Sequence, residues 1–140
     1  MGLVDKLLIG RKLAEIEVYL SQINEYSEIS VKNYEEDWKT QRIVERTLQI
    51  LIEICMDIAN HLISDKNMRL PTGYADAFKV LMENDVISKE LSNTMEKMAK
   101  FRNIIVHQYE GVDPSIVVSI LRKNLGDFER YKKAVLKILT

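Results

Sequence analysis

The chain has 140 residues, one cysteine, and 20 basic against 21 acidic side chains, for a net charge of −1. That length fits a single domain over residues 1–140 whose core needs no disulfide, and one cysteine excludes an internal disulfide. The charge argues against a scaffold that grips long duplexes, and no apolar stretch is long enough to cross a bilayer; with no signal-peptide layout, a cytoplasmic protein without membrane contact is expected.

Apolar residues recur at three- and four-residue spacing nearly throughout, and no segment sustains the period-two alternation of a strand. The fold class expected is all-α, an antiparallel bundle of four to five helices. The first helix is predicted from about Val4 to Ser27, burying Leu7, Leu8, Leu13, Ile16, Leu20 and Ile23. A polar connection, Glu28 to Asp37, follows. Three aromatics, Tyr26, Tyr34 and Trp38, surround it. They can stack on nucleic-acid bases, but closing the end of the bundle is the commoner role and the preferred reading.

The second helix is predicted over about Trp38 to Ser64, with Ile43, Leu48, Ile50, Leu51, Ile54, Ile58 and Leu62 inward. Cys55 falls in its apolar stretch and reads as a small buried hydrophobe, because a reactive thiol needs polar, electropositive surroundings. Glu53, Asp57 and His61 share one face at four-residue spacing. A metal site there would need the paired Glu-x-x-His motifs of di-iron bundles, which are missing, so a polar stripe is preferred and no metal or other cofactor is expected.

Leu70–Pro71–Thr72–Gly73 breaks the chain before a short third helix, about Tyr74 to Asn84. Ser88 reads as the N-cap of a fourth helix, which runs to about Tyr109 and stops before Gly111. Asp113 and Pro114 have the cap and first-turn chemistry that starts a fifth helix, predicted to reach the C-terminus. Arg122, Lys123, Arg130, Lys132, Lys133 and Lys137 give it a positive face, able to attract RNA or an acidic partner.

The fourth helix carries the chemistry. At about 100° per residue, Leu91, Met98, Phe101, Ile104 and Ile105 turn toward the core, Asn103 and His107 share the opposite side, and Arg102 and Tyr109 fall on the boundary. Arginine offers a planar donor fork that holds a phosphate and keeps its charge. Histidine titrates near neutral pH and can take or return a proton. Cleaving RNA without a metal needs both: a base for the 2′-hydroxyl proton and a cation for charge growing on the phosphate oxygens. Asn103 can steady the imidazole or contact substrate, Tyr109 can orient a phosphate, and Glu45 or Glu53 can hold the Arg102 guanidinium. One arginine and one histidine make a thin site, which a symmetric dimer would double.

The sequence Arg102–Asn103–x–x–x–His107–x–Tyr109 resembles the Arg-x4-His-x-Tyr motif of HepT toxins in the HEPN superfamily, and Glu45 to Glu53 resembles that family's second helix. The resemblance implies a homodimeric, metal-independent endoribonuclease, the toxin of a type VII toxin–antitoxin pair. It further implies that a minimal nucleotidyltransferase antitoxin silences the toxin by adding AMP to Tyr109, placing bulk and negative charge beside Arg102. The rival readings are a non-catalytic helical subunit that binds a nucleotide or a nucleotidyltransferase, and a metal-dependent bundle.

Overall fold

Asp5 opens the first helix: its carboxylate accepts a hydrogen bond from the Leu8 amide at 3.0 Å, satisfying one of the unpaired N–H groups of the first turn. The computed structural model describes residues 5–108 and 110–140, and every regular element among them is helical. Helix α1 is Lys6–Ile23, followed by a single 3-10 turn, Asn24–Tyr26. Next come α2, Val31–Glu36; α3, Trp38–Asp65; α4, Tyr74–Glu83; α5, Lys89–His107; α6, Pro114–Lys123; and α7, Leu125–Leu139.

These are seven α-helices where the sequence predicted four to five, and both extra elements have local causes. Within the expected polar connection, Ser30 caps Asn33 at 3.1 Å and starts the one-and-a-half turns of α2, which drop Tyr34 fully into the core. The expected fifth helix breaks at Asn124, where φ is −118° and ψ −1°. There the side-chain amide donates to the Asp127 carboxylate at 2.9 Å. The break turns two short helices against different neighbours: α6 packs on α2, whereas α7 packs on α1, α5 and α3.

Other boundaries fall where the caps put them. Ser88 Oγ accepts from the Leu91 amide at 3.1 Å, and Asp113 accepts from the Ser115 amide at 2.9 Å with Pro114 in the first turn. Gly111 has φ +105°, a conformation that only glycine adopts without strain.

The long helix α3 is the axle of the core. Val44, Leu48, Leu51, Ile52, Cys55, Ile58, Ala59 and Leu62 are all fully buried along it. In α1 the buried stripe is Ile9, Leu13, Ile16, Leu20 and Ile23, a regular four-three alternation that faces α3. Leu7, expected in that stripe, is exposed in the first turn. Ile43 and Ile104, also read as inward, are nearly half exposed because each lies just outside its helix's buried arc. Phe78 and Tyr131 meet edge to face with centroids 5.7 Å apart, and the Tyr131 hydroxyl donates to the Cys55 carbonyl at 2.8 Å. Cys55 is inert by environment: complete burial raises its thiol pKa well above the usual range.

Candidate functional site

Helix α5 carries Arg102 on its last turn and a half, and α3 supplies the group that fixes it. Phe101, one residue earlier, is buried, which sets the rotation of the helix and leaves Arg102 at the rim of the core with 21% of its side chain exposed. The Arg102 Nε donates to Glu53 Oε2 at 2.9 Å, and Nη2 lies 2.9 Å from the same oxygen. Gln49, one turn before Glu53, donates its amide to that oxygen at 3.1 Å. Nη1 donates to Asn103 Oδ1 at 3.1 Å. Of the two carboxylates that the sequence offered as partners for Arg102, the structure selects Glu53. Glu45 instead lies half-buried two turns earlier, its pKa raised by desolvation against the lowering effect of Arg42.

The guanidinium also sits 5.8 Å from the centre of the Tyr74 ring at the start of α4. Arg102, Tyr74, Glu53, Asp57 and Asn60, with Ile50, Ile54 and Met56, line an open cleft of about 380 Å³. Sequence reasoning missed Tyr74 and Asn60; the only pointer was that Tyr74 follows a Pro–Thr–Gly break. The Tyr74 wall is built by its own ion cluster. Arg69 donates to Asp76 at 2.8 and 3.0 Å and to Glu83 at 2.7 and 3.1 Å, while Asp76 also accepts from the Thr72 amide. Arg69 chiefly, then the Thr72 amide, holds the Asp76 carboxyl far below the ordinary carboxylate range.

His107 is the last residue of α5 and is exposed, as is Asn103 one turn before it. Arg102 and His107 are five residues apart, so they lie about 140° apart around the axis and about 7.5 Å along it. The structure therefore joins Arg102, Asn103 and Glu53 into one hydrogen-bonded group and leaves His107 beside it on an exposed face. Tyr109 lies outside the described residues; α5 ends two residues before it, not at it.

The carboxylates of the Glu53–Asp57–His61 stripe of α3 take different partners, Glu53 pairing with Arg102. Asp57 pairs with Lys12 of α1 at 2.5 Å, and no group of three His, Cys, Asp or Glu side chains among the described residues is placed to hold a metal. Half of the basic set near the C-terminus serves packing. Arg122 caps the Glu28 and Ile29 carbonyls at 3.3 and 3.2 Å, Arg130 pairs with Asp127, and Lys132 with Glu17. Tyr34 closes the bundle end as preferred, and Tyr26 is half-buried against the core. Trp38 does not follow them: it is 63% exposed. No described helix is long and apolar enough to cross a membrane.

Comparison with known proteins identifies the family. Residues 16–135 match the family model "Ribonuclease HepT-like". The mRNA nuclease HepT of Shewanella oneidensis is 34% identical over 125 residues, 89% of this chain and 92% of that protein. The tRNA nuclease HepT of Aphanizomenon flos-aquae is 26% identical over 133 residues, covering 94% and 90%. The tri-AMPylated Shewanella oneidensis HEPN toxin, solved in complex with its MNT antitoxin, superposes with a TM-score of 0.85 at 30% identity, over 96% of this chain and 99% of that one. A family match over residues 16–135 and a relative 34% identical over 89% of the chain lead to one conclusion: the chain belongs to the HepT-like ribonuclease family.

Proposed function

We propose that this HepT-like ribonuclease is the toxin of a toxin–antitoxin pair and cuts RNA without a metal through Arg102 and His107, residues 1–140 acting as one unit. Arg102 offers five N–H donors; Nε is hydrogen-bonded to Glu53 and one Nη1 hydrogen to Asn103, leaving one N–H on Nη1 and both on Nη2, which is ion-paired with Glu53, for a ligand. That leftover fork, fixed at the rim of a 380 Å³ cleft, is the observation that carries the reading. The fork takes two non-bridging phosphate oxygens. His107 removes the 2′-hydroxyl proton; the 2′-oxygen bonds to phosphorus, the bond to the 5′-oxygen breaks, and the departing oxygen takes a proton. Asn103 steadies the guanidinium.

The 140° between Arg102 and His107 is the reason to expect a homodimer, in which one copy's His107 approaches the other's Arg102 across a two-fold axis. Exposed Ile104, between Asn103 and His107, supplies an apolar contact for such a seam. An antitoxin of the minimal nucleotidyltransferase type silences the toxin by transferring AMP to Tyr109, with the adenylate's charge occupying the place of the substrate phosphate. The pair acts in the cytoplasm.

The test is growth of a host expressing the protein alone beside one expressing His107→Ala at equal levels. Arrest with the first and growth with the second is expected, and Arg102→Ala behaves like His107→Ala while keeping the helical fold. Equal growth of all three replaces this reading with a non-catalytic subunit.

A further inference from the structure

Trp38, a large flat ring able to stack on a base, has 63% of its surface in solvent at the first position of the longest helix. Two cations fix that ring in place: Lys39 Nζ is 5.7 Å and the Arg42 guanidinium 5.9 Å from its centre. On α3, Trp38, Arg42, Gln49 and Glu53 fall within about 60° of one another around the axis. The stripe that starts at the exposed ring therefore ends at the carboxylate holding Arg102, 15 residues and about 22 Å away. Glu45, midway, is a half-buried carboxyl whose pKa burial raises. Asp37, adjacent to the ring, is occupied in capping Thr40 through its amide and hydroxyl at 3.1 and 2.8 Å.

We propose that Trp38 is a base-stacking subsite for single-stranded RNA, with Arg42 and Lys39 on the flanking phosphates, at the far end of an α3 track leading to Arg102. The inference rests on the ribonuclease reading. Single-stranded rather than duplex RNA is the occupant because a ring can stack only on a base that has left its helix, and because Glu35 and Glu36 leave this end without the basic excess that duplex backbones require. Stacking adds to a modest electrostatic contribution, so affinity depends on salt far less than for a protein gripping a long duplex. Three phosphate contacts on a single strand, at Lys39, Arg42 and Arg102, give a log–log slope of about −2.1, and Arg42→Gln reduces it by about 0.7. At a stacked rise of about 3.4 Å, the 22 Å track takes about six or seven nucleotides, so a dinucleotide cannot reach both ends.

Trp38 is the only tryptophan in the chain, which makes its fluorescence a direct reporter. The experiment titrates the full-length His107→Ala protein with a single-stranded RNA of about 12 nucleotides. It follows Trp38 emission and acrylamide accessibility, and measures affinity separately by anisotropy of labelled RNA. Quenching and shielding are expected, with affinity about tenfold weaker in Trp38→Ala and restored by Trp38→Phe. Unchanged emission at saturating RNA, or equal affinity of Trp38→Ala, overturns the proposal. So does a Trp38→Ala effect confined to the mass of the protein in solution, which would make the ring a subunit contact. The ribonuclease reading fails separately: unaltered protein would leave the same RNA intact while its Trp38 was still quenched.

Discussion

Replacing Glu53 by Gln separates what the ion pair does for the fold from what it does for Arg102. Both partners are partly wet, with 34% and 21% of their side chains exposed, so the attraction is screened and its loss costs about 0.2–1 kcal/mol of stability. The effect on chemistry is larger. Glu53 Oε2 accepts from Arg102 Nε at 2.9 Å and lies 2.9 Å from Nη2 as an ion pair, and an amide oxygen in its place is a weaker, uncharged acceptor. An arginine released by about 1 Å from its productive position loses on the order of 10²-fold in rate. With one hydrogen bond retained, kcat on a fluorogenic RNA is expected to fall roughly 10- to 100-fold. Removing a negative charge beside the phosphate site acts in the opposite sense on binding, so KM is expected to stay level or fall. The assay pairs steady-state cleavage with a thermal melt of the same preparation. Unchanged kcat in Glu53→Gln, with Arg102→Ala inactive, would show that Asn103 and Tyr74 place the guanidinium without help from α3 and would refute the reasoning.

Three further outcomes follow from particular contacts. Ile104→Glu puts a charge on the exposed apolar residue of the α5 end and is expected to convert a dimer to monomers by light scattering and abolish cleavage while leaving the melt unchanged; a dimer of unchanged mass would remove Ile104 from the seam. Asp76→Asn tests the ion cluster: because the folded carboxyl titrates below its unfolded value of about 3.9, its stabilisation is present above that pH and fades as pH falls through the folded value. The variant is expected to melt earlier at pH 7, with the difference closing below about pH 4, in a series of melts across pH. Tyr131→Phe removes one fully buried hydrogen bond, to the Cys55 carbonyl, and is expected to cost about 1 kcal/mol in chemical denaturation with no change in kcat.

The parts of the fold carried by strong local chemistry were legible in the sequence. Ser88, and Asp113 with Pro114, each announce a helix boundary through a cap, and each stands where that chemistry puts it; Gly111 has the positive φ expected of it but lies three residues beyond Gln108, which ends the helix in an extended conformation. The break at Asn124 was not legible, because its signal is one asparagine followed by Leu125 and Gly126, and what decides it is packing of α6 and α7 on separate partners. Apolarity misled at Leu7, Ile43 and Ile104, since a residue's type does not say where the edge of a buried arc falls. At the site, the motif located Arg102, Asn103 and His107 on one helix. Its partner lies 49 residues away, and only the packing of α5 against α3 could choose Glu53 over Glu45. Tyr74 came into the cleft by the same route, from a helix whose sequence carries no motif.

The cluster around Arg69 has a consequence for how the cleft meets a ligand. Four donor contacts from one guanidinium, with the Thr72 amide on Asp76, tie the stretch between α3 and α4 to both ends of α4. The backbone on which Tyr74 stands is thus ordered when the chain folds, and little of that ordering is left to be done when a ligand arrives. Fixing one loop residue costs about 1–2 kcal/mol of conformational entropy, so a wall ordered in advance spares a ligand several such terms. Loosening Arg69 would then weaken ligands through a less favourable binding entropy while leaving every contact inside the cleft chemically intact.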